Sequence, residues 1–394
     1  MKPTIYLDNS ATTRICDEAL ATYIEISREH FGNPSSLHAV GFDAEKVLKD
    51  ARGEILKALG AKGGTLIFTA SGSEANNLAI FGRVHAKDRY KGKKILTTAG
   101  EHSSVSAVMD ALRADGYKTE TIPTRGGALD FEALEKMLTP DVVLVSAMMI
   151  NNETGAIYEL SRLSAMMKAK CPDAMLHADA TQSFMKIPFT PEGIGADMVT
   201  LSSHKIEGPK GVGALYISAD VIKTRGLAPM ILGGGQEGGY RSGTENVPGV
   251  AAFAKSCEIA KKDLQNRARH TAGLRKYLLE KLANDERLTE VLPLITPSPA
   301  PHILSLTVSG IKSETMLHFL SSEGICVSSG SACSSNSSAR HTSEALLAYG
   351  QSEAEADSSI RVSFSHRNTK EDVDALCEAL ALGLSRLARI RRTK

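Results

Sequence analysis

The sequence predicts an α/β protein built on a mainly parallel sheet, and three observations carry that prediction. Short apolar runs alternate with helical patterns from about residue 45 to 255. A long amphipathic segment follows Pro248, and beyond it strand and helix patterns resume in a shorter C-terminal region. Strands alternating with helices require crossovers that cover both faces of a mainly parallel sheet. In such sheets chemistry gathers at the carboxyl ends of the strands.

Taken in order, the predicted strands are TLIFTA (65–70), KILTTA (94–99), VVLVSAMM (142–149), AMLHADA (174–180), MVTLSS (198–203) and GALYIS (213–218). Helical stretches such as SEANNLAIFGRVHAKDRY and LSRLSAMMKAKC lie between most of them. After Pro248 the apolar positions Phe253, Cys257, Ala260, Leu264, Ala268, Leu278 and Leu282 mostly keep three-or-four spacing, the stripe of a packed helix. This segment is expected to connect to a second domain. That domain has a strand pattern at HILSLTV (302–308), a helix at SETMLHFLSSEG, a serine- and glycine-rich stretch SSGSACSSNSSAR (328–340) and a final helix from about 370.

Composition narrows the function. The chain has 394 residues, 42% hydrophobic and 23% charged, which suits a globular protein of two or three domains, or one large domain with a smaller partner. Lys plus Arg number 46 against 45 Asp plus Glu, so the net charge of +1 offers no nucleic-acid footprint. The basic end RLARIRRTK reads as a solvated helix terminus. No apolar run reaches the roughly 18 residues of a membrane span, and MKPTIYLDNSATT lacks the core of a signal peptide. A cytoplasmic protein with no membrane partner is expected. The six cysteines form no CxxC pair, which argues against a zinc site and a disulfide framework. Cys16, Cys171, Cys257, Cys326 and Cys377 read as buried small residues. Only Cys333 has glycine and serines on both sides.

Three clusters could carry chemistry. In SSHKIEGPKGVGAL (202–215), Lys205 stands at a strand's carboxyl end, where a lysine in a cleft can form a Schiff base; a surface lysine has the same signature. In LHADATQS (176–183), Asp179 ends an apolar run, where a carboxylate needs a partner such as a pyridinium nitrogen, or serves as a helix N-cap. In FTASGSEANN (68–77), a strand leads through Ser-Gly-Ser into a helix, an anion site at a helix N-terminus or a simple cap on Ser73. A phosphate anchor, a ring-nitrogen acid and a Schiff-base lysine converge on pyridoxal 5'-phosphate.

The order of these pieces resembles a cysteine desulfurase of the NifS/IscS type, in the class V aminotransferase group of fold-type-I pyridoxal-phosphate enzymes. The resemblance runs nearly end to end, through YLDNSATT, FGNPSSLH, SGSEANN, EHSSV, NNETG, HADATQ, SSHKIEGPKGVGAL, GGGQEGGYRSGTEN, SSGSAC and SSIRVS. It implies a large domain over 14–255 with a seven-stranded sheet, and a smaller α+β domain from 1–13 and 256–394. It also implies a homodimer, with pyridoxal phosphate as cofactor. Lys205 would hold that cofactor covalently, Asp179 pair with its ring nitrogen, His102 stack on the ring and Gln182 bond its phenolic oxygen. Ser73, Ser202 and His204 would bind the phosphate, with Thr244 reaching in from a second subunit. Asn152 and Arg361 would hold the substrate carboxylate, for which a planar guanidinium suits.

Cys333 would be the nucleophile that takes sulfur from L-cysteine as a persulfide, leaving L-alanine, and passes it to an acceptor protein in iron–sulfur assembly or in tRNA or cofactor thiolation. The thiolate is the attacking form. A selenocysteine lyase, or another class V aminotransferase, shares much of the pattern; aminotransferases have no use for Cys333 in such a stretch. The chain departs from the pattern at SFMK after HADATQ, at SSNSSARHTSEAL after Cys333 and at FSHRNT after SSIRVS.

Overall fold

A computed structural model describes residues 4–86, 94–329 and 342–392. Its main sheet has seven strands in the order Thr65–Thr69, Gly213–Ile217, Met198–Ser202, Met175–Asp179, Val142–Met148, Lys94–Thr98 and Lys118–Ile122. Only Gly213–Ile217 pairs antiparallel with its neighbours; the other pairings are parallel. The six strands read from sequence are all present, each shorter than its apolar run. Lys118–Ile122 (KTETI) went unpredicted because it is a polar edge strand, exposed at Lys118 and buried only at Ile122. An edge strand needs no apolar run on both faces.

Alternation within each strand divides the core. Leu66, Phe68, Val145, Leu176 and Val199 face one side, packed against the helices Ala39–Leu59 and Val247–Lys262. Ile67, Leu144, Met175, Met198 and Leu215 face the other, against Gly72–Val84 and Ser103–Ala114. The segment after Pro248 is two helices rather than one. Val247–Lys262 ends at Asp263, which has non-helical dihedrals, and Leu264–Asn284 follows. Most of the predicted apolar stripe is buried across both helices, although Ala268 is only half-buried.

A second sheet of four antiparallel strands runs Val291–Pro293, Ile303–Val308, Ser359–Ser363 and Ser328–Ser329. The N-terminal strand Ile5–Tyr6 pairs in parallel with Ile325–Cys326, and Leu7 is buried in the core beneath this sheet. From there the chain crosses to the large sheet: Ser10 N donates to Ser363 Oγ at 2.8 Å, and Thr13 N to His204 O at 2.9 Å.

One glycine fixes how closely the first large-sheet turn approaches its neighbour. Gly213 pairs with both Thr69 and Ser202, and a Cβ there would lie 2.5 Å from the Ser71 carbonyl carbon and 2.8 Å from Gly72 N. These are backbone atoms, so the turn itself must move to accept a side chain. Gly213→Ala is expected to cost about 1–3 kcal/mol, read as a lowered melting temperature, with faster amide exchange in the first turn of Gly72–Val84. Wild-type protection in that turn would show that the approach is not limiting.

Candidate active site

The carboxyl edge of the large sheet opens into a cavity of about 420 Å³. Of the sequence-predicted residues, Ser73, His102, Asn152, Asp179, Gln182, Ser202, His204, Lys205 and Arg361 all line it. Thr244 does not; it lies exposed in the turn before Val247–Lys262. Cys333 lies outside the described residues. Both described ends of its stretch nevertheless meet the cavity. Ser328 and Ser329 are in the wall, and Ser343 Oγ donates to Glu153, another wall residue.

Asp179 ends its strand only 5% exposed. Its Oδ2 accepts from Asn76 Nδ2 at 2.8 Å, and its Oδ1 from Thr181 N at 2.9 Å. It therefore closes a turn with the residue two ahead and caps no helix. The cap beside the cavity is also not Ser73 but Ser71, whose Oγ accepts from Glu74 N at 3.1 Å. Ser73 instead sits in the exposed first turn, where its hydroxyl is available to a ligand. A helix of this length leaves its first amides to be satisfied by a cap or an anion.

Lys205 ends a short 3-10 turn directly after Met198–Ser202. Its Nζ donates to the carbonyls of Ser10 and Ala11, each at 2.7 Å. His204 Nδ1 lies 3.0 Å from Thr12 Oγ1; burial, aided by Lys205 and Lys210, pulls the imidazole down to about 4 and keeps it neutral. His102 is likewise drawn down, chiefly by burial. Its Nδ1 accepts the Ser104 amide at 3.1 Å, so the neutral ring carries its proton on Nε2. Gln182 Nε2 donates to Ser10 O at 2.9 Å.

Arg361 rises from the small sheet into the same space, 7% exposed. Its Nη2 donates to Asp8 Oδ1 at 2.8 Å and its Nη1 to Asn152 O at 2.9 Å, while its buried Nε has no partner among the described residues. Sequence reasoning missed Asp8, Ser10, Asn76, Glu101 and Glu153. Asp8, Ser10, Asn76, Glu101 and Glu153 stand within the quoted stretches YLDNSATT, SGSEANN, EHSSV and NNETG, Glu101 and Glu153 directly beside named residues. Their partners lie far away in the chain or behind the surface, which the sequence does not display. Burial pushes the Glu153 carboxyl up to about 7. Cys326, expected to be buried, is half-exposed in its two-residue strand.

The aminotransferase class-V family pattern matches residues 5–376. The chain is 37% identical over 383 residues to cysteine desulfurase IscS 1 of Archaeoglobus fulgidus, covering 97% of each. It is 38% identical over 393 residues to cysteine desulfurase 2 of Trichormus variabilis, covering 98% of this chain and 94% of that one. A solved NifS-like protein superposes with a TM-score of 0.88 at 35% identity, over 97% of this chain and 99% of that one. The chain belongs to the class V aminotransferase family, and its fold is the fold type I of that family's pyridoxal-phosphate enzymes.

Glu101 carries a prediction about pH. Its Oε1 accepts from Thr98 and from Met148 N, yet its Oε2 is buried without a partner. Burial outweighs those bonds and pushes the carboxyl up to about 8. The folded protein therefore keeps this proton where the unfolded chain, near 4.5, has lost it. Stability from this group falls as pH rises between those values. Glu101→Gln should melt increasingly above wild type across that window, by on the order of 2–4 kcal/mol at its top. Parallel pH–stability curves would remove the buried acid from this role.

Proposed function

We infer that this protein is a cysteine desulfurase, which removes sulfur from L-cysteine to give L-alanine. The observation that carries this reading is the meeting of Asp179, Lys205 and Arg361 in one cavity of a class V aminotransferase chain whose relatives are named cysteine desulfurases. The residues present fit pyridoxal phosphate. A buried carboxylate suits its ring nitrogen and a strand-end amine its aldehyde. A helix N-terminus flanked by Ser71, Ser73 and Ser202 suits its phosphate. Asn76 Oδ1 and Ser10 Oγ, buried without protein partners beside the cavity, are further polar atoms that a ligand could engage. When bound, the cofactor supplies an electron sink for bonds at the substrate's α-carbon.

The chain's own residues then divide the work. Lys205 would hold the cofactor covalently and His102, with its proton on Nε2, would stack on the ring. Gln182 would bond the phenolic oxygen, while Ser73, Ser202 and His204 would hold the phosphate. Asn152 and Arg361 hold the substrate carboxylate, Arg361 being pre-set by Asp8. The Cys333 thiolate attacks the substrate sulfur. The carbon–sulfur bond breaks with its electron pair going to carbon, which takes a proton, and the sulfur remains on Cys333 as a persulfide. Cys333 follows Ser329, a cavity residue, by four positions, a chain reach of about 14 Å. The persulfide then passes to an acceptor protein of iron–sulfur assembly or thiolation, in the cytoplasm.

A homodimer completes the reading, with Thr244 joining the phosphate site of the other subunit and a small domain formed by 1–13 and 256–394. Its support is apolar surface without a partner: Phe31 and Leu37, beside the helix Ala39–Leu59, are 73% and 89% exposed, and Leu232, near the Thr244 turn, is 80% exposed. Such side chains mark interaction surfaces when they cluster. Light scattering should give twice the chain mass; a fully active monomer would overturn the shared site.

Cys333→Ala separates cofactor chemistry from sulfur transfer. The variant should retain the yellow colour and still change its visible spectrum on adding cysteine, while sulfide release falls at least about 100-fold. Lys205→Ala should lose the covalent cofactor's absorbance altogether. Wild type mixed with cysteine and no reductant should gain one sulfur mass on the peptide holding Cys333, with none on Cys326. Wild-type turnover by Cys333→Ala would refute the desulfurase mechanism.

A further inference from the structure

A second, much smaller cavity of about 30 Å³ opens beside Glu207, in the turn that follows Lys205. Its titratable lining residues are Lys186, Glu207, Arg267, His302 and His366, with the hydroxyls of Thr13, Thr271 and Ser365. Lys186 and His366 come from SFMK and FSHRNT, which depart from the family pattern at Phe184, Met185, Phe364 and Ser365, and the sulfur chemistry uses neither residue. They converge here from distant parts of the chain.

The wall has more positive charge than its carboxylate can match. Glu207, 5% exposed, accepts from Arg267 Nη1 at 3.1 Å and from Arg367 Nε at 3.1 Å, with His366 Nδ1 at 3.7 Å. Asp263 lies 3.8 Å from Arg267 but is half exposed at the rim. Lys186 has no carboxylate within ion-pairing distance among the described residues. Burial draws its ammonium down to about 8, which leaves it charged at neutral pH. His302 is 2% exposed, and among the described residues neither of its ring nitrogens has a partner and Arg267 Nε lacks a hydrogen bond. Burial holds both His302 and His366 neutral. Three cations thus surround one buried carboxylate, with unsatisfied donors facing the same small space.

A buried unpaired charge costs several kcal/mol, and an orphaned donor about 1–3 kcal/mol. The cavity has room for at least one water-sized ligand and admits a small inorganic anion. A water would satisfy a donor but leave the charge uncompensated. We propose that this cavity is a binding site for a small inorganic anion, chloride being the one tested, held by the Lys186 ammonium with Arg267 and His302.

Its effect reaches the active site through a short chain of bonds. Glu207 has a left-handed φ of 65°, a strained conformation for a residue with a side chain. Its amide donates to Thr13 Oγ1 at 2.7 Å, and Thr13 Oγ1 donates to His204 O at 2.8 Å. An anion that balances Lys186 and Arg267 steadies the turn that holds His204 and Lys205. The site stands independently of the sulfur chemistry.

The test uses bromide in place of chloride. Holoenzyme crystals soaked in sodium bromide and measured at the bromine edge should show an anomalous peak between Lys186 and His302. In solution, the holoenzyme should melt about 1–3 °C higher in sodium chloride than in sodium gluconate of equal ionic strength. That difference should vanish in Lys186→Met and in His302→Phe. The bromide map on wild type decides even if either variant fails to fold. A cavity holding water density and no anomalous peak overturns the proposal, as does an unchanged chloride effect in both folded variants.

Discussion

Lys205 Nζ is held by the carbonyls of Ser10 and Ala11, and much of the site hangs on the short N-terminal stretch that brings those carbonyls there. An amine set into a cavity needs acceptors in fixed places, and a strand end offers none of its own. The stretch is paired by Ile5 and Tyr6 with Ile325–Cys326, joined to the small sheet by Leu7 O accepting from Ser363 N, and tied to the large sheet by Thr13. Between those anchors it also orients Arg361 through Asp8 and Gln182 through Ser10. One segment therefore sets an amine, a guanidinium and an amide that come from three different elements. A shift of this stretch would disturb all three together.

The floor of the cavity depends on a contrast between two carboxyl groups. Asp179 has both oxygens engaged by donors, Asn76 and the Thr181 amide. Glu101 has one oxygen engaged and one buried alone, so burial prevails and its proton stays on. Asp179 itself contributes to that outcome, because a like charge nearby raises a carboxyl's proton affinity. Holding Glu101 neutral removes a competing negative charge from beside Asp179. The adjacent His102 is neutral for the same reason, burial. Within this floor, charge is confined to the groups that have partners.

What could be read from sequence follows a simple division. Strands buried on both faces announce themselves as apolar runs, so Val142–Met148 and Met198–Ser202 were legible to within a residue. The edge strand Lys118–Ile122 was not, because only one of its residues is buried. The break at Asp263 was also hidden, since both helices keep the same stripe while the chain turns. In the site, Lys205 and Asp179 stood out because their type at a strand end implies chemistry, while His102 came only with the family resemblance. Those that act by position did not stand out. Asp8 and Ser10 matter through what they hold across the fold, and Glu153 through a bond to Ser343, far away in the chain. Ser71 was passed over for Ser73 because both hydroxyls suit a cap and only the backbone decides which one reaches Glu74 N.

In the proposed reading, Arg361 would let the two sheets together select for a carboxylate. Two of its donors are committed within the protein, to Asp8 and to the Asn152 carbonyl, which fixes the plane of the guanidinium. Its Nε is buried without a protein partner, a state that costs about 1–3 kcal/mol. An anionic ligand arriving in that plane recovers this cost, and a ligand without the carboxylate does not. Asp8 meanwhile prevents the guanidinium from being a fully uncompensated charge, so the cavity tolerates it before substrate binds. The pair is set to be shared rather than broken. An amino acid's carboxylate can join Arg361 beside Asp8, and a simple amine, lacking that group, leaves the buried donor unsatisfied. Such a preference would come from an arginine of the small sheet held half-satisfied by the N-terminal stretch that crosses to the large one.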